Sequence, residues 1–168
     1  MIFQVDNQDV FASDAGKGIE KNKHTVLLLH GSGLSHIVWS LTEQYLSNQN
    51  YNVLSLDLPG HGNSEGKCLP SIEKISDWIE KVLNQLGVLD VTIIGHSQGC
   101  LEALEYFSKY PKKVKRLNVD HDHVTGQFRG YICEHCNIGI GRLGKQFECN
   151  DLEGVKAALK YLTRIIPK

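Results

Sequence analysis

Short apolar runs alternate with amphipathic segments along the first two thirds of the chain. Short, mainly apolar stretches are typical of strands buried on both faces of a parallel sheet, and they occur at residues 25–30 and 91–94. Residues 52–57 are predicted to form a further strand between them. Segments with the periodicity of a helix lie between these stretches or after them, at residues 38–47, 71–86 and 98–110. Strands that alternate with helices predict an α/β fold with a mostly parallel sheet flanked by helices.

The segment 71–86 carries the clearest helix pattern. Its apolar residues recur every three or four positions, at Ile72, Ile75, Ile79, Val82 and Leu86. Ser71 stands at the N-cap position and Gly87 follows the last apolar residue, as is typical of helix ends. At the start of the chain, residues 1–13 alternate apolar and polar side chains around Asp6-Asn7, which predicts an opening hairpin.

The pattern changes near residues 116–119. Residues 118–149 are rich in His, Cys, Gly and charged side chains, and they lack a long apolar run. A last amphipathic helix is predicted at 151–165, with Leu152, Val155, Leu159 and Leu162 on one face. We therefore predict two units, residues 1–117 and residues 118–168, the second a small module.

Composition narrows the class of protein. With 41% hydrophobic residues among 168, the chain can form a core, and its net charge of -1 gives no basic field for nucleic acid. The N-terminus lacks the features of a secretory signal, and no apolar run reaches the ~18 residues that span a bilayer. We expect a soluble, cytoplasmic protein with no membrane partner. An odd count of five cysteines argues against a disulfide framework.

A serine lies at the junction of a predicted strand and a predicted helix. The sequence Gly95-His96-Ser97-Gln98-Gly99 fits the pattern G-x-S-x-G in that context. The pattern requires a sharp turn that exposes the serine hydroxyl, with glycines that let the chains pass closely. The helix N-terminus and the backbone N–H of Gln98 then face a developing oxyanion. Between a strand and a helix, the match to this pattern is strong.

Two further motifs accompany this serine. His30-Gly31-Ser32-Gly33 follows the first buried strand, and the segment 57–64 reads Asp-Leu-Pro-Gly-His-Gly-Asn-Ser. Together, over about residues 1–117, the three motifs resemble the α/β-hydrolase family. The resemblance implies that Ser97 attacks a small-molecule ester or amide without a cofactor, and that the backbone N–H of Ser32 is a second oxyanion donor. It also implies structural roles for His30, His61 and His96.

The α/β-hydrolase resemblance also indicates that part of the catalytic triad is missing. In that family an acid and then a histidine follow the serine, on loops after later strands. After Ser97, only the helix 98–110 and a strand at 114–119 fit the hydrolase pattern. We therefore expect the triad acid and base to be missing and hydrolysis to be impaired. Asp120 and His123 could replace them only from a segment of different character.

That segment has its own motifs. Asp120-His121-Asp122-His123 is followed by Thr125-Gly126, Arg129-Gly130 and a C-x-x-C pair that precedes an asparagine. Crowded His and Asp residues suit a divalent cation near a phosphate, and a thiol pair suits zinc. Over about residues 118–165 the combination resembles the recombination endonuclease VII branch of the His-Asn-His nucleases, whose fold is of the ββα-metal type.

This second resemblance implies a metal-dependent DNA nuclease. Asp120 and Asn137 would bind Mg²⁺, and His121 or His123 would act as the base or orient the phosphate. Arg129 would contact phosphate. The remaining implied ligands are half of a zinc site, Cys133 and Cys136, with Cys149 as a possible third thiol.

Three hypotheses follow from the sequence. The first is a serine hydrolase, and the second is a metal-dependent nuclease with DNA as its partner. The third is a non-catalytic chimera of two truncated domains. For residues 118–165, a partly folded appendage with reduced thiols has the same weight as a working nuclease site.

Overall fold

The computed structural model describes residues 1–116, 119–121 and 128–131. Side chains are described up to Val114. The predicted helix at 151–165 lies outside the described residues. The elements, in chain order, are the strands and helices β1 (Ile2–Val5), β2 (Gln8–Ser13), β3 (Thr25–Leu29), a 3-10 helix (His36–Trp39), α1 (Ser40–Asn48), β4 (Asn52–Leu56), α2 (Ile72–Gln85), β5 (Val91–Gly95), α3 (Gln98–Lys109), a second 3-10 helix (Pro111–Lys113), β6 (Val114–Arg116), β7 (Val119–His121) and β8 (Phe128–Tyr131).

Six strands form one mixed sheet in the order β1-β2-β4-β3-β5-β6. The pairs β1–β2 and β2–β4 are antiparallel, whereas β4, β3, β5 and β6 run parallel to one another. The structure confirms the predicted α/β fold with a mostly parallel sheet. Because the carboxyl ends of β3, β4 and β5 meet at one edge, the loops that follow these strands are neighbours.

Strand β3 shows why the central strands are apolar throughout. All five of its residues are buried, and successive side chains of a strand point to opposite faces. Leu27 and Leu29 contribute to the larger core cluster, with α2 and α3. Val26 and Leu28 contribute to the smaller cluster, which contains Leu46 of α1. Helices therefore cover both faces of the sheet.

The local signals at the predicted hairpin and at α2 are confirmed. The hairpin turns at Asp6 and Asn7, which both adopt positive φ angles of 54° and 61°. The Ser71 side chain caps α2 by accepting a hydrogen bond from the backbone N–H of Lys74 at 3.4 Å. Gly87, just beyond the helix, has a φ of 67°, which suits a glycine after a helix end.

Two predicted boundaries were wrong. The helix expected at 38–47 begins earlier, as a 3-10 turn at His36, whose backbone N–H donates to the Asp57 carboxylate at 2.6 Å. The strand expected at 114–119 is divided between two sheets. Its pairing with β5 ends at Arg116 after a register irregularity, and residues 119–121 pair antiparallel with β8. In the described part of the chain, no helix is long and apolar enough to cross a membrane.

Candidate active site

Ser97 lies in the turn between β5 and α3. Its φ of 55° and ψ of −118° fall in a region that non-glycine residues rarely adopt, at a cost of about 1–3 kcal/mol. Two backbone hydrogen bonds close the turn: Gly99 N–H donates to the His96 carbonyl at 2.9 Å, and Cys100 N–H donates to the Ser97 carbonyl at 3.0 Å. The serine side chain is exposed and makes no capping hydrogen bond to α3. The turn thus holds the hydroxyl at the carboxyl edge of the sheet.

The two glycines that flank the turn are required by close backbone contacts. A Cβ atom on Gly95 would overlap the Gly99 carbonyl, and a Cβ atom on Gly99 would overlap the Leu29 carbonyl. Only glycine therefore lets β5 pass the first turn of α3, and lets that turn lie against β3. The spacing of the G-x-S-x-G motif has a direct steric cause in this fold.

The loop after β3 packs against the same turn. A Cβ atom on Gly31 would lie 3.1 Å from the Ser97 Cβ and 3.2 Å from the His96 carbonyl oxygen. The loop turns at once, because Leu34 N–H donates to the Gly31 carbonyl at 3.1 Å. Ser32, the residue after Gly31, is exposed beside the turn. The structure thus brings together the neighbourhoods of Ser97 and Ser32.

Gln98 is the first residue of α3. The first N–H groups of a helix have no intrahelical acceptor, and the helix dipole places positive potential there. The backbone N–H of Gln98 therefore belongs to an end of the helix that favours negative charge. Such a group, next to a hydroxyl at a strained turn, is suited to stabilise an oxyanion.

His30 is completely buried, and both of its ring nitrogens are engaged. Nδ1 lies 2.8 Å from the Gly31 carbonyl oxygen, and Nε2 accepts the Leu58 backbone N–H at 3.2 Å. Accepting at Nε2 means that Nδ1 carries the proton and the ring is neutral. Burial lowers the pKa of His30 from its ordinary value, which favours this neutral form. These contacts support the structural role expected for His30.

The other two histidines of the motifs have contacts with neighbouring loops. The His61 ring lies 5.1 Å from the His30 ring, and its Nδ1 is 3.2 Å from the Pro59 carbonyl oxygen. His96 presents its ring to Trp39 in an edge contact at 6.4 Å. These contacts link the loops at the carboxyl ends of β3, β4 and β5.

Sequence reasoning missed a partly buried pair between His36 and Asp57. Asp57 is completely buried, and its carboxylate accepts the backbone N–H of Asn63 at 2.9 Å, as well as the His36 N–H. The His36 Nδ1 lies 2.9 Å from the same carboxylate. The His36 ring contacts Phe11 of β2 at 4.7 Å, whereas Ser97 follows β5, two strands from β4. The contacts of Asp57 with His36 and Asn63 thus stabilise the 57–64 loop.

A second missed residue lies on α3. Glu102 is completely buried, and its Oε1 accepts a hydrogen bond from the Gln98 Nε2 at 3.0 Å. Its other oxygen, Oε2, has no hydrogen-bond partner among the described residues. Burial raises the pKa of the Glu102 carboxyl to about 7. One signal was available: Glu102 is three residues after buried Gly99 and four before buried Tyr106, on the helix face that enters the core.

The residues predicted for the nuclease lie apart from this site in the chain. Asp120 and His121 are in β7, and Arg129 is in β8. Outside the described residues lie the other predicted ligands and bases: His123, Cys133, Cys136, Asn137 and Cys149. Within the described ranges, no group of three or more His, Cys, Asp or Glu side chains could hold a metal ion.

A cavity of about 720 Å³ lies at the opposite end of the parallel strands. Its lining includes Thr25 and Asn52, which begin β3 and β4, together with the segments 19–24 and 86–90. Since Ser97 follows the carboxyl end of β5, this cavity is separate from the serine turn.

A strained serine turn between a parallel strand and a helix, on a sheet covered on both faces, is typical of the hydrolase class of α/β proteins. A family model described as alpha/beta hydrolase fold matches residues 24–120, more than half of the chain, and the chain belongs to this family. A second model, described as recombination endonuclease VII, matches residues 92–164. The two matches overlap over residues 92–120.

Curated relatives match the same part of the chain. The (E)-2-((N-methylformamido)methylene)succinate hydrolase of Acinetobacter baylyi is 33% identical over 95 residues, which are 56% of this chain and 36% of that protein. The pimeloyl-acyl-carrier-protein methyl ester esterase of Aromatoleum aromaticum is 36% identical over 96 residues, 57% of this chain and 36% of that protein. The chain therefore spans little more than a third of the length of these relatives.

Solved structures show the same relationship. An α/β-hydrolase enzyme from a Medee basin deep-sea metagenome library superposes with a TM-score of 0.62 at 26% identity, over 69% of this chain and 42% of that one. A marine microorganism esterase superposes with a TM-score of 0.57 at 26% identity, over 64% of this chain and 39% of that one.

Proposed function

We propose that the protein is a serine hydrolase in which Ser97 attacks the carbonyl carbon of a small-molecule ester or amide. The strained Ser97 backbone, packed against Gly31, is the observation that carries this proposal. The names of relatives add support, since one is an esterase of a methyl ester and another a hydrolase of an N-methylformamido compound. A cofactor is not part of the proposed chemistry.

Acylation would follow from the residues at the turn. The Ser97 Oγ forms a bond to the carbonyl carbon, and its proton passes to a base or to solvent. The carbonyl oxygen becomes an oxyanion, which accepts hydrogen bonds from the backbone N–H groups of Gln98 and Ser32. Collapse of the tetrahedral intermediate expels the alcohol or amine and leaves an acyl-serine, which water then hydrolyses.

We also infer that acylation outpaces hydrolysis of the acyl-serine. Among the described histidines near the serine turn, His30 uses both ring nitrogens within the core and His36 pairs with Asp57. The His61 Nδ1 lies against the Pro59 carbonyl oxygen, and the His96 ring contacts the Trp39 ring. We therefore infer that none of the four delivers a water molecule to the acyl-serine. Without a positioned base, deacylation loses about 10²- to 10⁴-fold in rate.

A burst experiment with p-nitrophenyl acetate tests both statements. Each acylation releases one p-nitrophenol, so we expect a burst of one equivalent per chain followed by slow turnover. Ser97→Ala should abolish the burst. Ser108→Ala, which changes a serine near the far end of the same helix, should retain it.

The outcomes of the burst experiment separate the two statements. A burst that persists in folded Ser97→Ala would refute the nucleophile. Rapid turnover without a burst, lost in Ser97→Ala, would refute only the slow deacylation.

A metal-dependent DNA nuclease is the second candidate function. It is supported by the match to recombination endonuclease VII over residues 92–164, and by the antiparallel pair β7–β8, which carries Asp120 and His121. In this proposal Asp120 and Asn137 hold Mg²⁺, and Cys133 and Cys136 contribute to a zinc site.

Plasmid nicking tests the nuclease proposal. Nicking that requires Mg²⁺ and is lost in His123→Ala is expected. Folded protein that contains no zinc and leaves plasmid intact with Mg²⁺ would count against it. The division of the chain near residues 117–118 stays a prediction, for which limited proteolysis is the direct measurement.

A further inference from the structure

We propose that Glu102 is a positioning residue for the Ser97 turn: its buried carboxyl holds the Gln98 side chain, and its ionisation slows acylation of Ser97. This inference rests on the proposed hydrolase function. It is not part of the G-x-S-x-G pattern, which ends at Gly99.

The contact between Glu102 and Gln98 lies in the first turns of α3. Gln98 Nε2 donates to Glu102 Oε1 at 3.0 Å, so the amide side chain is tied to a carboxyl that is 0% exposed. Because Gln98 also supplies the proposed oxyanion N–H, the contact fixes the residue on which oxyanion stabilisation depends. The Ser97 turn precedes it directly in the chain.

The second carboxyl oxygen indicates which protonation state fits the site. Glu102 Oε2 is buried and has no hydrogen-bond partner in the described part of the chain. A buried carboxylate with an unpaired oxygen is costly, whereas a neutral carboxyl is tolerated much better. Burial is the first cause that raises the pKa of Glu102 to about 7, opposed only by the hydrogen bond from Gln98. Both forms are therefore populated near neutral pH.

The charged groups described on the elements packed against α3 do not stabilise the ionised form of Glu102. Asp77 of α2 pairs with Lys109 of α3, and Glu80 of α2 pairs with Lys113 of the second 3-10 helix. Neither they nor any other charged group is among the causes of the Glu102 pKa shift. The remaining titratable side chains described on or next to α2, α3, β3, β5 and the second 3-10 helix are His24, His30, Glu73, Lys74, Lys81, Asp90, His96, Cys100, Glu105, Tyr106, Tyr110 and Lys112.

Ionisation of Glu102 would oppose the negative charge of the oxyanion. Glu102 is five residues beyond Ser97, which corresponds to about 7.5 Å along a helix. At that separation or somewhat beyond it, and with screening between the effective dielectric constant of about 20 near a protein surface and about 80 in water, two like charges slow the step by roughly five- to tenfold. Below its pKa, the neutral carboxyl still holds Gln98 without this repulsion.

The test is the rate of acylation by a fluorophosphonate probe between pH 5.5 and 8.5. In this reaction the Ser97 Oγ forms a bond to phosphorus, the P–F bond breaks, fluoride leaves and the serine proton goes to solvent. Glu102→Gln keeps an acceptor for Gln98 but cannot ionise. We expect its rate to equal that of wild type at pH 5.5 and to exceed it about five- to tenfold at pH 8.5, with the change centred near pH 7.

Two controls separate positioning from general effects. Glu105→Gln, on the same helix and within 3.8 Å of Lys109, should give a ratio to wild type that does not change with pH. Glu102→Leu removes the acceptor and should be slower than Glu102→Gln at pH 5.5. Equal acylation rates for Glu102→Leu and Glu102→Gln at pH 5.5 would refute the claim that Glu102 positions the Gln98 side chain.

The outcomes distinguish this inference from the proposed function. A folded wild type that the probe never labels refutes the serine hydrolase, and this inference with it. Labelling with a Glu102→Gln ratio that stays flat refutes only the role of Glu102. If the variants do not fold, a carboxyl ¹³C titration of wild type decides: a Glu102 that remains ionised at pH 5.5 overturns the inference.

Discussion

Glu102→Gln is expected to change how the stability of the fold depends on pH, whether or not the protein is an enzyme. The carboxyl is completely buried on α3, and burial raises its pKa from 4.5 to about 7. A raised pKa means that the folded protein holds this proton more tightly than the unfolded chain does. The stability that the proton contributes is fully present below pH 4.5 and is lost as the pH rises through about 7.

The size of the effect follows from the two pKa values. Moving the pKa from 4.5 to about 7 corresponds to about 3 kcal/mol in the free energy of unfolding once both states are ionised. Glutamine has nearly the shape of a neutral glutamic acid and does not titrate. The variant should therefore match wild type within about 1 kcal/mol at pH 5 and exceed it by about 3 kcal/mol at pH 8.

Urea unfolding at pH 5 and pH 8, followed by the fluorescence of buried Trp39 and Trp78, measures this difference. Glu105→Gln is the matched control, because it removes a carboxyl from the same helix without emptying a buried position; its effect should be small at both pH values. A Glu102→Gln difference that is the same at pH 5 and pH 8 would refute the argument that the buried carboxyl takes up a proton on folding.

Two further predictions concern the loops around the serine. Gly99→Ala should lower the free energy of unfolding by more than about 2 kcal/mol, because its Cβ would overlap the Leu29 carbonyl. Gly87→Ala is the control, since Gly87 has a positive φ but has open space around it. It should lower the free energy of unfolding by only about 1 kcal/mol in the same denaturation assay. Asp57→Asn should cost about 2–3 kcal/mol, since it places an amide among donors that include the His36 backbone N–H; a loss below 1 kcal/mol would contradict that role.

The sheet and its helices could be predicted because their signals are local. The apolar run of β3 follows from burial on both faces, and the α2 boundaries follow from Ser71 and Gly87. The strand at 114–119 was misjudged, since the choice between pairing with β5 and pairing with β8 depends on distant partners. The propensity of residues 114–119 for extended structure does not indicate which sheet they join.

The candidate site stays a prediction, and sequence reasoning described it only as far as the motifs extend. Ser97 is identified by a spacing that reflects backbone contacts of Gly95 and Gly99. The pair of His36 and Asp57 spans 21 residues, and no local pattern joins them. Glu102 could have been noticed as a charge on a buried helix face, but its hydrogen bond and its unpaired oxygen required coordinates.

The central claim is that the Ser97 hydroxyl is the nucleophile, and the most direct measurement is the mass and location of a fluorophosphonate adduct. Intact protein should gain one adduct per chain, peptide mapping should place it on Ser97, and folded Ser97→Ala should gain none. Folded wild-type protein without an adduct, or an adduct that maps to another residue and persists in Ser97→Ala, would contradict the account.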